Sequence, residues 1–154
     1  MEKQRNNLQD EIVYLQSQSM RNNLVFSGIP ETRTGTFEDA EITLRSFLQE
    51  KMKLAKEEAA SIQFERVHRS HGTPTPGKTR NIIAKFAFFK DRENVRKRWK
   101  ELEGTGYRVF EQFPQEVLQK RRQLVPQMKE ARRQGKRAYL AYDTLYIDGT
   151  PVRA

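Results

Sequence analysis

A chain of 154 residues allows one domain of ordinary size or two small ones. Only 36% of the residues are apolar and there is no cysteine, so the core is thin or divided, and disulfides and thiolate zinc sites are excluded. The formal charge of +9 is unevenly placed: residues 1–65 hold 8 basic and 11 acidic side chains, and residues 66–154 hold 21 basic and 9 acidic ones. A basic half attracts phosphate backbones or anionic surfaces, and the imbalance exceeds what solubility alone requires.

Residues 2–20 read as a helix. Leu8, Ile12 and Leu15 follow the four–three spacing of a coiled-coil seam, and Arg5, Ser19 and Asn22 continue it with polar residues. So short a seam is marginal alone. It reads as the stub of a longer coiled coil, with an amphipathic helix folded back on its own domain as the alternative. NLVFSGIP, residues 23–30, reads as a buried strand ending at Gly28 and Pro30. Thr36 is placed to cap the next helix, with Asp39 three positions on, and an apolar stripe from Phe37 to Met52 follows. Residues 54–60 add a short helical turn. SIQFERVHR, 61–69, alternates like a strand, HGTPTPGKT is a loop, and RNIIAKFAFF, 80–89, is the strongest strand signal. KDRENVRKRWKEL is a helix expected to turn Val95, Trp99 and Leu102 inward, and YRVFEQF, 107–113, is a strand.

Beyond Pro114, residues 115–134 form a basic helix ended by Gly135. RAYLAYD and TLYIDGTPVR follow as short strands, with Asp148-Gly149 as a hairpin turn. The fold class is therefore α+β. A coiled-coil stub (1–21) precedes a ferredoxin-like βαββαβ domain of RNA-recognition-motif type (22–113), and a small basic helix-plus-sheet domain (114–154) closes the chain.

That module usually stacks bases on aromatics of its two central strands. Here packing requires Leu24, Phe26, Ile82 and Phe86 to face the helices, so the open face shows Val25, Asn81 and Ile83. No aromatic is expected where bases would stack, and the sheet alone is a poor single-strand platform. Recognition is then assigned to charge. Arg66, Arg69, Lys78 and Arg80 flank the Pro/Gly loop. In QKRRQLVPQMKEARRQGKR, 119–137, eight cations meet one acid, and Arg121 falls among the apolar positions Val117, Leu124 and Met128. A basic loop facing this helix would form a cleft that tracks phosphates. The expected contacts are Arg69, Lys78, Arg80, Arg121, Arg122, Lys136 and Arg137, with Tyr142 as a stacking residue. Tyr107, Tyr139 and Tyr146 either stack as well or fill the small sheet.

LVFSGIPE, then FERVHRSHG with its Pro-rich loop, then RNIIAKFAFFKDRENV, and finally EVLQKRRQLVPQMKEARRQGKRAYLAYDTLYI, resemble the first-open-reading-frame protein of long interspersed element retrotransposons. The resemblance covers nearly the whole chain. It implies a trimerising coiled coil, an RNA recognition motif without the usual aromatics, and a C-terminal domain. It also implies binding of single-stranded RNA and of single-stranded DNA, nucleic-acid chaperone activity, and packaging of the element's RNA into a cytoplasmic ribonucleoprotein, with the nucleus as a second location. LQKRR, 118–122, would place Arg121 and Arg122 on the nucleic acid. Tyr142 falls where the family has a tyrosine opening a Tyr-Pro-Ala segment, whereas this chain reads Tyr-Asp-Thr.

Other constellations are weaker. His68 and His71 lack a third ligand among basic neighbours, so neither a metal nor a cofactor is expected. No catalytic set reaches motif quality, which disfavours a nuclease or other enzyme. Membrane or calmodulin binding by the basic helix is disfavoured too, because its apolar face lacks Trp or Phe and Pro126 interrupts it. No membrane, small-molecule substrate or signal peptide is expected. The remaining alternative is an interaction module whose basic face meets an acidic protein.

Overall fold

A computed structural model describes residues 2–31, 38–72 and 77–153. It is an α+β structure with an N-terminal helix, α1 (Glu2–Met20), and two antiparallel sheets. The chain forms two compact units, Ser19–Gln112 and Met1–Gln18 with Phe113–Ala154.

In the unit Ser19–Gln112 the elements run β1 (Asn23–Ser27), α2 (Ala40–Glu50), α3 (Lys56–Ser61), β2 (Phe64–Arg69), β3 (Ile82–Phe86), α4 (Phe89–Arg96), a 3-10 turn (Lys97–Leu102) and β4 (Arg108–Glu111). The sheet order is β2-β3-β1-β4, all antiparallel. Alternation along β1 and β3 sends Leu24, Phe26, Ile82, Ala84 and Phe86 inward, as expected. They meet Leu44, Phe47, Leu48 and Met52 of the α2 stretch, and Val95 and Leu102 of the second helical stretch.

Four local expectations need correction. The cap of α2 is Asp39, whose carboxylate accepts from the Glu41 and Ile42 amides at 3.0 and 3.2 Å; Thr36 lies outside the described residues. The strand expected over 80–89 is confined to Ile82–Phe86, because α4 starts at Phe89. Trp99 is 46% exposed instead of inward. The helix tightens to three residues per turn at Lys97, so a residue four beyond Val95 rotates off the buried face. The outward sheet face also carries an aromatic: Phe110 pairs with Val25, which pairs in turn with Ile83, so all three share the face opposite the core. Phe110 lies on the edge strand β4, outside the two central strands whose faces the alternation assigns.

The second unit packs α5 (Gln115–Arg133) on a meander of β5 (Ala138–Ala141), β6 (Thr144–Ile147) and β7 (Thr150–Arg153). Leu124, Ala131, Ala138 and Leu145 form its small core, with Met128, Leu140, Ile147 and Val152 around them. α5 runs through Pro126 without a break, correcting the expected interruption. Proline removes one hydrogen bond and crowds the preceding turn, but Pro126 sits on the exposed side, where the helix can yield toward water. The helix ends in a Schellman motif, with the Lys136 amide donating to the Ala131 carbonyl at 2.9 Å and Gly135 to Arg132 at 3.0 Å. Asp148 and Gly149 both have positive φ, as the expected two-residue hairpin requires. Along α1, Leu8, Ile12 and Leu15 remain 61%, 49% and 65% exposed. Polar contacts tie the same helix to the C-terminal residues: Gln9 donates to Glu116, and Ser17 shares a hydrogen bond with the Tyr142 hydroxyl.

Candidate nucleic-acid interface

The cations singled out from the sequence fall into two groups with different surroundings. In the unit Ser19–Gln112, Arg69 is an internal tie. Its side chain is 6% exposed. Its Nε and Nη2 donate to the two Glu38 carboxylate oxygens at 2.8 and 2.9 Å, and the remaining donors reach the Ile29, Pro30 and Arg80 carbonyls at 2.7–2.8 Å. All five N–H groups of a guanidinium are thereby used. A phosphate could take Arg69 only by dismantling the junction between β2 and the approach to α2.

Arg80 is similarly engaged. Nε and Nη2 donate to Glu31 Oε1 at 3.0 and 2.6 Å, and Nη1 donates to the Gly72 carbonyl at 2.7 Å. The guanidinium beside Glu31 holds its carboxyl below the usual carboxylate range. Lys78, by contrast, is exposed and makes no ion pair among the described residues. His68 lies on β2 opposite Ile83, half-buried, with Nδ1 enclosed and unpartnered among the described residues. Desolvation, helped by Arg66 and His71, pushes its imidazole below the ordinary histidine value. Among the described residues no group of three His, Asp or Glu could hold a metal ion, and no helix is long and apolar enough to cross a membrane.

The second unit joins Arg121 to Tyr142. Arg121 sits on the buried stripe of α5 one turn after Val117, where the sheet end offers a polar partner. Its Nη1 donates to the Tyr142 carbonyl at 2.7 Å, and its guanidinium lies 4.5 Å from the Phe113 ring centroid. Tyr142 occupies the turn between β5 and β6 with φ of 54°, a left-handed conformation that costs an aromatic residue. The Phe113 ring meets it edge-on at 5.9 Å, and the Tyr142 side chain remains 40% exposed. Arg121 thus fixes a strained turn that presents a tyrosine.

Arg122, Lys129 and Arg133 recur at helical spacing on the exposed face of α5, and Lys136 and Arg137 follow its end. Arg133 pairs with Glu130; Arg122, Lys129, Lys136 and Arg137 make no ion pair among the described residues. At about 1.5 Å per residue, Arg122 to Arg133 extend over roughly 16 Å of helix. The sequence reading singled out Arg122, Lys136 and Arg137 but passed over Lys129 and Arg133, although their spacing from Arg122 was visible.

The tyrosines divide. Tyr107 packs against the larger core, 5.2 Å from the Phe47 ring. Tyr139 and Tyr146 stack on each other across β5 and β6 at 5.3 Å, on the face of the small sheet opposite its core residues. Comparison of the sequence with models of known protein families and with curated proteins found no match.

Proposed function

We propose that this protein binds single-stranded nucleic acid, RNA foremost, and acts without catalysis as a nucleic-acid chaperone that packages RNA into a ribonucleoprotein. One observation supports the reading above the others: Arg122, Lys129, Lys136 and Arg137 are exposed and make no ion pair among the described residues, on the unit that also presents an exposed tyrosine held by Arg121. Such a row neutralises successive phosphates, and affinity resting on backbone charge carries little sequence preference. Many individually weak contacts let strands rearrange while held. The four-stranded unit is read as an RNA recognition motif whose central strands carry no aromatic on the outer face, Phe26 and Phe86 being in the core. The exposed Leu8, Ile12 and Leu15 of α1 suit self-association as a coiled coil, a trimer by the retrotransposon-protein resemblance, which would raise effective concentration on the strand.

The test is binding of single-stranded RNA across a salt series. Four neutralised phosphates give a log–log slope near −2.8, at about −0.7 per contact. A salt-independent affinity, or no binding at ~50 mM salt, would favour instead an acidic protein as the partner of the basic face.

A further inference from the structure

The sequence places the only Trp of the chain inside RKRWK, residues 96–100, and the fold leaves that Trp half in solvent. An exposed aromatic becomes informative where it lines a groove with other apolar side chains and adjacent charge. Trp99 lines a groove of about 530 Å³ together with Tyr107, Arg108, Val109 and Phe110 of the edge strand and the turn at Glu103. Phe110 is 44% exposed but shares the opposite sheet face with Val25 and Ile83, so Trp99 is the exposed aromatic face of this groove. Its volume lies within the range of ordinary small-ligand sites.

The rim is cationic. Lys97 and Arg108 are exposed, and Lys100 Nζ lies 5.9 Å from the Trp99 ring centroid. Glu103 is the acid on the lining. The neighbouring Arg96 is already held by Glu93 at 2.8 Å, and Arg98 donates to the Lys53 carbonyl at 3.1 Å. Lys100, beside the Trp99 ring, and Arg108, on the lining, are thus the cations placed to meet an anion at the aromatic face. An aromatic face with adjacent cations matches a nucleotide: a base stacks while its phosphate is neutralised at the rim. An extended peptide along the open edge of β4 would use the strand's backbone but would leave the cations without a counter-charge.

We infer that the groove between the 3-10 turn and β4 is a base-stacking site, in which the Trp99 face holds one base of a single strand and Lys100 and Arg108 meet its phosphates. This inference rests on the single-strand reading above and adds to it a contact that salt does not screen.

Trp99 is its own reporter, since no other Trp contributes to emission. Titration of the full chain with an oligouridylate should quench Trp emission, and an abasic strand of equal length should leave it unchanged. Trp99→Ala should weaken oligouridylate binding by about 5- to 150-fold, the range expected for one stacked base. The loss should persist at high salt, and Trp99→Phe should recover most of the affinity. Tight binding with unchanged emission and an unaffected Trp99→Ala variant would overturn the stacking site and leave the single-strand reading intact. Equal quenching by the abasic strand would also overturn it, by assigning the change to phosphates alone. Absence of any RNA binding by the unaltered chain would overturn both.

Discussion

In the unit Ser19–Gln112, Arg69, Arg80, Arg92 and Arg96 each meet a glutamate, whereas along α5 and just past it Arg122, Lys129, Lys136 and Arg137 extend into water. Arg92 is the extreme case. It is buried, and it pairs with Glu93 and, at 3.1 Å, with Glu111 on β4. The same residue type thus serves as internal tie in one unit and as surface charge in the other. What differs is the supply of acids: the first unit contains Glu31, Glu38, Glu93 and Glu111 at positions the fold brings to its arginines, and residues 119–137 contain only Glu130. A count of cations therefore overstates the surface available to an anion most in the first unit, and in the second overstates it by the engaged Lys120, Arg121, Arg132 and Arg133.

The strongest way to break this contrast is to remove a tie. Arg69→Ala removes a nearly buried guanidinium from the Glu38 carboxylate and from the Ile29, Pro30 and Arg80 carbonyls, and should destabilise its unit by about 3–5 kcal/mol in urea unfolding. Arg122→Ala should change stability by less than about 0.5 kcal/mol. Equal costs at the two positions would erase the distinction.

Next in size is Gly28, which ends β1 with φ of 92°; a Cβ there would sit 2.5 Å from the Gly106 carbonyl oxygen. Gly28→Ala should cost more than about 1 kcal/mol, since both the conformation and the space are wrong. An unchanged unfolding midpoint would mean that the approach of the β1 end to the segment before β4 is not tight in solution.

Acid sharpens the same contrast. Arg80 lowers the Glu31 carboxyl, and Arg96 followed by Arg92 lowers that of Glu93, so the unfolded state takes up protons first and stability falls as pH drops from about 5 through the carboxylate range. The half-buried His68, held below its ordinary value by desolvation, adds a loss of the same sign that begins higher, as the unfolded imidazole protonates. Urea midpoints across pH should fall in that order, and Glu31→Gln should flatten the lower limb. A unit that gains stability in acid would contradict the ties.

The smallest effects separate two neighbours on α5. Arg122→Ala should reduce the salt slope of RNA binding by about 0.7 and do little else. Arg121→Ala removes the donor to the Tyr142 carbonyl, so part of its loss should remain at high salt, as with Tyr142→Ala. Identical salt behaviour of the two variants would mean that the tyrosine turn does not contribute to binding.

Much of this was legible in the chain because it depends on local pattern. Alternation fixed which faces of β1 and β3 are inward, Asp148-Gly149 marked its own turn, and Gly135 marked the end of α5. Trp99 was misjudged because a change from α to 3-10 geometry leaves no mark in apolar spacing. Phe110 was overlooked because the sequence test stopped at the two central strands, and only the sheet order puts β4 beside β1.

By itself the sequence determined the alternation of elements, the division of charge and the apolar faces, since these follow from backbone periodicity and residue type within a few positions. Tertiary structure alone decided which cations are consumed. Whether Arg69 finds Glu38, 31 residues away in the chain, or Arg122 makes no ion pair among the described residues, depends on long-range approach. An ion pair of that kind is a property of distance in space, which no spacing along the chain encodes.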